Sequence, residues 1–219
     1  MKIHIDYKGK DYQALAKMAS LAYAEVAKYF DKNPKSLDIR IHKTRQGFEE
    51  KLQRKTQPWE VANAAYSGSI DILHPNALAK ESTHDKEDFK PLLKHEIAHL
   101  FLDILSRGYR MPKWLDEGFS SYVAGFNVSK DLICVEENFC KVLGTPKGWD
   151  EHANYYAYNT AQMFVRFLIK EYSIKKVTKL ISSLEKNYYY GDFDGLFTNI
   201  FGQNIDKTEK SFIRSINGA

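Results

Sequence analysis

An α+β chain is predicted, with strands and helices mixed in its first part and helices alone in its second, and three observations predict it. Two stretches near the start, Lys2 to Tyr7 and Leu37 to His42, alternate apolar with polar residues as half-buried strands do. Between them, apolar residues recur at helical spacing. From about residue 155 onward the patterned segments are helical. With 219 residues, 43% of them apolar and 14% aromatic, the chain has material for one sizeable core. It reads as one domain in three parts: an N-terminal α/β part over 1–60, a strand and two motif-bearing helices over 61–125, and a helical part over 126–219.

In chain order, the first strand is ended by the turn Lys8-Gly9-Lys10. Leu15, Met18, Ala19, Leu21, Ala22, Val26, Ala27, Tyr29 and Phe30 recur at helical spacing and mark a helix from about Tyr12 until Asn33-Pro34 stops it. After the second strand, Thr44 is placed to cap a helix running to Leu52, and His42, on the polar side of its strand, is expected at the surface. Ala62 to Leu73 is strand-like, interrupted by Gly68 and ended by His74-Pro75. Asn76 to Lys86 is polar and expected to be a loop, after which Asp88-Phe89-Lys90-Pro91 opens a helix with proline in its first turn. Another helix begins near Pro112, and Leu132 to Val142 is a further candidate, broken by Gly144 to Gly148. Helical patterns over Tyr155 to Tyr172, Ile174 to Leu184, Asp192 to Ile200 and Lys207 to Ile216 complete the chain.

The helix opened at Asp88 carries His95-Glu96-Ile97-Ala98-His99. Residues four apart share a helix face, so His95 and His99 can direct both imidazoles at one ion. Glu96, one position further round, is turned away from that ion's first shell but within reach of a water beside it, the place for a general base. A third ligand must come from another element and leave a fourth position open. Seventeen residues separate His99 from Glu117, enough to finish one helix, reverse through 107–112 and bring Glu117 back. His95, His99 and Glu117 are therefore expected to hold one zinc ion per chain, and Asp103, one turn beyond His99, is placed to steady a ligand.

Together, His95-Glu96-xx-His99 and Trp114-Leu115-x-Glu117-Gly118 resemble the gluzincin branch of zinc metallopeptidases, and most closely the small peptidase MA-like domains. The stretch Tyr158 to Leu168 is similar to a later helix of those domains, which opens on a tyrosine and continues as an aromatic and aliphatic stripe; the likeness covers residues 60 to 217 or so. It implies a zincin-like two-lobe fold, with the zinc site between a sheet-bearing N-terminal part and a helical C-terminal part. Peptide hydrolysis by a zinc-activated water with Glu96 as base would follow. In related enzymes a Tyr or His donates a hydrogen bond to the tetrahedral intermediate; Tyr158 is the candidate here, with Tyr155 and Tyr156 as competitors. The resemblance further implies that the sheet's edge strand pairs with extended substrate, a role assigned to Gly68 through Leu73, with Gly68, Ser69 and Ile70 as substrate-binding residues.

Two departures narrow the expectation. Asn63-Ala64-Ala65-Tyr66-Ser67-Gly68 stands where the large aminopeptidases carry a Gly-x-Met-Glu-Asn loop, so their amine-binding glutamate is missing. Ser121 stands where thermolysin-like enzymes place an aspartate four residues after the ligand glutamate. An endopeptidase or small-peptide hydrolase is expected. The alternative from another class is a metal-stabilised binding or regulatory module with little or no hydrolysis; Glu96 argues against it, because a structural zinc site gains nothing from that carboxylate and closes its fourth position with Cys or His. A hydrolase of nonpeptide amides is a third reading.

Composition excludes other classes. Thirty-two basic residues are dispersed among 28 acidic ones, for a net charge of +4, which gives no footprint for nucleic acid. No apolar run approaches the length of a membrane span, and Met1 to Tyr7 lacks the form of a signal peptide, so a cytoplasmic chain is expected. Cys134 and Cys140 are not at CxxC spacing and are expected as buried free thiols. The expected partner is a peptide or protein substrate, and the expected state is a monomer.

Overall fold

Alternating isoleucines set the sheet. In the computed structural model, which describes residues 2–65, 68–129, 132–134, 136–153, 156–185 and 191–218, strands β1 (Lys2–Asp6), β2 (Ser36–His42), β3 (Ala62–Ala65) and β4 (Ser69–Leu73) form one sheet in the order β1-β2-β4-β3. β1, β2 and β4 run parallel, and β3 is antiparallel to β4. Register places Ile5 beside Ile39, Ile39 beside Ile70 and Ile41 beside Ile72, all of them buried. The α+β expectation is met, with a small mixed sheet in a largely helical chain.

The chain divides into two compact units, Met1–Ile104 and Leu105–Ala219. In the first, α1 (Tyr12–Ala27) makes the crossover from β1 to β2 that parallel pairing requires. It buries Leu15, Ala19, Ala22 and Val26. α4 (Phe89–Ser106) carries Phe101, which meets Tyr23 of α1 at 5.3 Å and Phe30 at 4.9 Å between ring centroids. Glu25 of α1 pairs with Lys90 and Lys94 of α4. α2 (Arg45–Leu52) starts at Thr44, whose hydroxyl accepts from the Gly47 N–H at 3.2 Å, as the sequence predicts. Arg45 then gathers the following loop: its Nη1 donates to Thr56 Oγ1 and to the carbonyls of Gln57 and Glu60, and its Nη2 to that of Pro58.

Three expectations for this unit are corrected. Residues 75–81 are helical, not loop: α3 (Pro75–Glu81) has Pro75 in its first turn and is capped by His74, whose Nδ1 accepts from the Asn76 N–H at 3.1 Å. His42 is not a bare surface residue; its Nε2 lies 2.7 Å from Oδ1 of the buried Asp71, which Arg40 also grips through Nε at 2.8 Å and Nη2 at 2.7 Å. And the strand beginning at Ser69 is not the edge of the sheet. β4 is paired on both sides, to β2 and to β3, so on that side of the sheet β3 is the outer strand. Gly68, in the turn between them, has φ +85°, the left-handed conformation that glycine adopts without strain.

The second unit holds α5 (Lys113–Ala124), α6 (Phe139–Val142), α7 (Pro146–His152), α8 (Ala157–Tyr172), α9 (Ile174–Ser182), α10 (Gly191–Phe201) and α11 (Ile205–Asn217). Its core is aromatic: Phe164 of α8 packs edge-on against Trp114, Phe139 and Phe212 at 5.1, 5.3 and 5.2 Å. Each fully buried ring of this kind contributes about 1.5–3 kcal/mol. Among the described residues of the stretch Leu132 to Val142, the expected helix is confined to the four residues of α6, where the buried Glu209 of α11 accepts the N–H groups of Phe139 and Cys140 at 3.0 and 3.2 Å. The expected break is present at residues 143–145, after which Pro146 opens α7 behind the Thr145 cap. Cys134 and Cys140 are buried free thiols, as expected. Among the described residues no helix is long and apolar enough to cross a membrane.

Candidate metal centre

Helix α4 is fixed by its apolar face, where Leu93, Ile97, Phe101 and Leu102 are buried, and this leaves His95 and His99 stacked one turn apart. Their rings lie 4.7 Å apart at an interplanar angle of 82°, and their Nε2 atoms face each other at 3.0 Å. Two bare imidazole nitrogens repel at that distance unless a proton or a cation lies between them. Nitrogens of one tetrahedral zinc, at Zn–N of about 2.0–2.1 Å, would sit about 3.3 Å apart. The observed spacing is that of a hydrogen bond between the two rings and lies about 0.3 Å short of that shell.

Glu117 comes from α5, whose own placement has two causes in the second unit. The N–H groups of Lys113 and Trp114 donate to the carbonyls of Gly144 and Leu143 at 3.1 and 3.0 Å, so the helix start is held without a side-chain cap. One turn on, Gly118 lies so close to α8 that a Cβ there would stand 2.5 Å from the Ala161 carbonyl oxygen. Only glycine allows that approach. Glu117 therefore sits on a helix that can neither slide nor tilt far, and Lys113 donates to its Oε1 at 2.9 Å.

The ligand atoms of His95, His99 and Glu117 all lie within 4.8 Å of one another, and among the described residues no other group of His, Cys, Asp or Glu gathers in this way. His95 and Glu117 are buried, at 6% and 7% exposure. Two imidazoles and one carboxylate are a donor set for a divalent transition metal that keeps an open position. Glu96, next to His95 in the chain, is buried and is not one of the three gathered residues.

The remaining sequence-predicted residues divide. Asp103 is half-buried on α4, one turn beyond His99. Tyr158 is exposed in the first turn of α8 and meets Trp149 edge-on at 4.9 Å. Tyr156 is half-buried; burial, then the charge of a Cys134 thiolate and the hydrogen bond with Cys134, push its hydroxyl up to about 12. Tyr155 lies outside the described residues. Ser69 and Ile70 stand in the interior strand β4, where both backbone edges are paired, and Gly68 in the turn before it, so none of the three offers the open strand edge assigned to it. Two features escaped sequence reasoning: Lys113 on Glu117, and the Arg40, His42 and Asp71 network. The first had a signal, four-residue spacing to the ligand. No family model matches the chain, and comparison with curated proteins finds no match.

Proposed function

We propose that this chain is a zinc-dependent metallopeptidase of the gluzincin kind, with a zincin-like fold, acting on internal bonds of peptides or on short peptides. The observation that carries the reading is the gathering of His95, His99 and Glu117 within 4.8 Å, with Glu96 buried beside His95 on the same helix. When bound, zinc supplies a Lewis acid that polarises a carbonyl and lowers the pKa of water to near neutrality. His95, His99 and Glu117 hold it. Glu96 removes a proton from the attacking water and delivers it to the leaving amine, serving as base and then as acid. Tyr158 is assigned as donor to the developing oxyanion, and Tyr156 is the weaker choice because its hydroxyl is engaged with Cys134. Asp103 is assigned to steady an imidazole. An extended substrate would add to β3, the outer strand, and not to β4.

The test pairs zinc content with cleavage. Wild type should hold about one zinc per chain and cleave members of a quenched-fluorescent peptide library, whereas His99→Ala should lose the metal. Glu96→Gln should keep its zinc and lose cleavage by about 10²- to 10⁴-fold. Zinc on a wild type that cleaves nothing would favour a metal-held binding module. A wild type that takes up no zinc would overturn the proposal.

A further inference from the structure

Local helix physics does not ask for a lysine at position 113. Lys113 is the first residue of α5, where the positive end of the helix dipole disfavours a cation. Its pairing with Glu117 four residues later has the lysine on the N-terminal side, the less favourable orientation for such pairs. Neither capping nor ordinary surface pairing accounts for it. Glu117, however, has a side chain only 9% exposed, and a carboxylate so withdrawn from water needs a charged or strongly donating partner to hold one geometry. Lys113, 35% exposed and tied at its own N–H to the Gly144 carbonyl, reaches Oε1 at 2.9 Å.

Building on the zinc reading of the site, we propose that Lys113 is a positioning residue for the metal centre: it holds Oε1 of Glu117, so that the carboxylate presents its other oxygen to the metal alongside His95 and His99. The role is orientation and not ligation, since an ammonium group offers no lone pair. Partners of this sort fix a ligand's rotamer, and their loss typically weakens metal affinity by about 10- to 100-fold. A merely structural ion pair, in contrast, would change the melting temperature of the metal-free and zinc-loaded protein alike and leave affinity where it was.

The experiment is competition for zinc between a chromophoric chelator and the full chain, run on wild type, Lys113→Met and Lys113→Arg, with the melting temperature of each metal-free protein recorded. Methionine keeps most of the aliphatic stem and removes the charge; arginine keeps the charge. The proposal expects zinc affinity at least about tenfold weaker in Lys113→Met and largely restored in Lys113→Arg. Unchanged affinity in Lys113→Met would overturn it, and so would tighter binding, which would make Lys113 a competitor of the metal. If Lys113→Met does not fold, Lys113→Gln against Lys113→Arg carries the same comparison. Failure of wild type to bind zinc would overturn the metal centre itself, an outcome distinct from a zinc-binding wild type indifferent to Lys113.

Discussion

Adding one methyl group at Gly118 sets two effects of opposite sign against each other. In an exposed helix interior, glycine to alanine gains about 1 kcal/mol, because the unfolded chain has less freedom to lose. At Gly118 the new Cβ would lie 2.5 Å from the Ala161 carbonyl oxygen, 2.7 Å from its carbon and 3.0 Å from Val165 Cγ2. An ordinary carbon–oxygen contact is about 3.3 Å, so α5 and α8 would have to part by about 0.8 Å at their closest point. The obstacle is main chain within α8, and no side-chain rotation relieves it. Overpacking of this kind costs up to about 3 kcal/mol, and separation would also loosen the 5.1 Å contact of Trp114 with Phe164. The steric effect therefore wins, and Gly118→Ala should be destabilised by about 2 kcal/mol, read as a lower urea midpoint at unchanged slope. Gly195→Ala is the control, because nothing lies within 4 Å of a Cβ at that position of α10; it should be more stable than wild type by up to about 1 kcal/mol. A Gly118→Ala protein as stable as wild type would refute the close crossing, and with it the account of how Glu117 is placed.

Other substitutions probe other parts. Asp71→Asn should cost about 3 kcal/mol, since it leaves the guanidinium of Arg40 and the ring of His42 against a neutral amide, and should leave zinc content unchanged. Burial alone would push the Asp71 carboxyl up, but hydrogen bonds from Arg40 and His42 outweigh it and hold the group at about 2. A carboxyl lowered in the folded state adds stability that is fully present above its unfolded value of about 4 and is lost as pH falls towards about 2, here about 2 kcal/mol. Urea midpoints from pH 6 to pH 2 should fall less steeply in Asp71→Asn than in wild type. Ser173 joins α8 to α9 at φ 94° and ψ 152°, a region that glycine occupies at far lower cost, so Ser173→Gly should raise the melting temperature by an amount equivalent to about 1 kcal/mol.

What could be read from the sequence was what local spacing determines. His95 and His99 need only the four-residue helical repeat, and Glu117 needs only a turn of adequate length, so all three could be named in advance. The Arg40, His42 and Asp71 network could not, because Arg40 meets Asp71 only when β2 lies beside β4, and alternation says nothing about strand order. The same gap misplaced the edge strand: the parallel partner on one side of β4 is set by long-range packing, which local spacing does not reveal. α3 was missed because its cap is a histidine ring nitrogen, outside the usual capping residues, and because Pro75 reads as a terminator until the helix after it is seen. Lys113 was overlooked because its signal runs against the helix dipole.

The outer strands of the sheet bear on how readily one copy of this chain could pair with another. A strand edge left available for a passing peptide is equally available to a neighbouring molecule, and concentration favours the neighbour. β3 is four residues long and built from Ala62, Asn63, Ala64 and Ala65, residue types that pair poorly as strands, so what it offers is too brief to nucleate a growing stack. At the opposite side, β1 exposes Lys2 and Asp6, which would meet their own kind in a parallel, in-register pair with another β1 and so discourage it. Lengthening β3 or replacing its alanines with valine should increase self-association, visible as concentration-dependent light scattering.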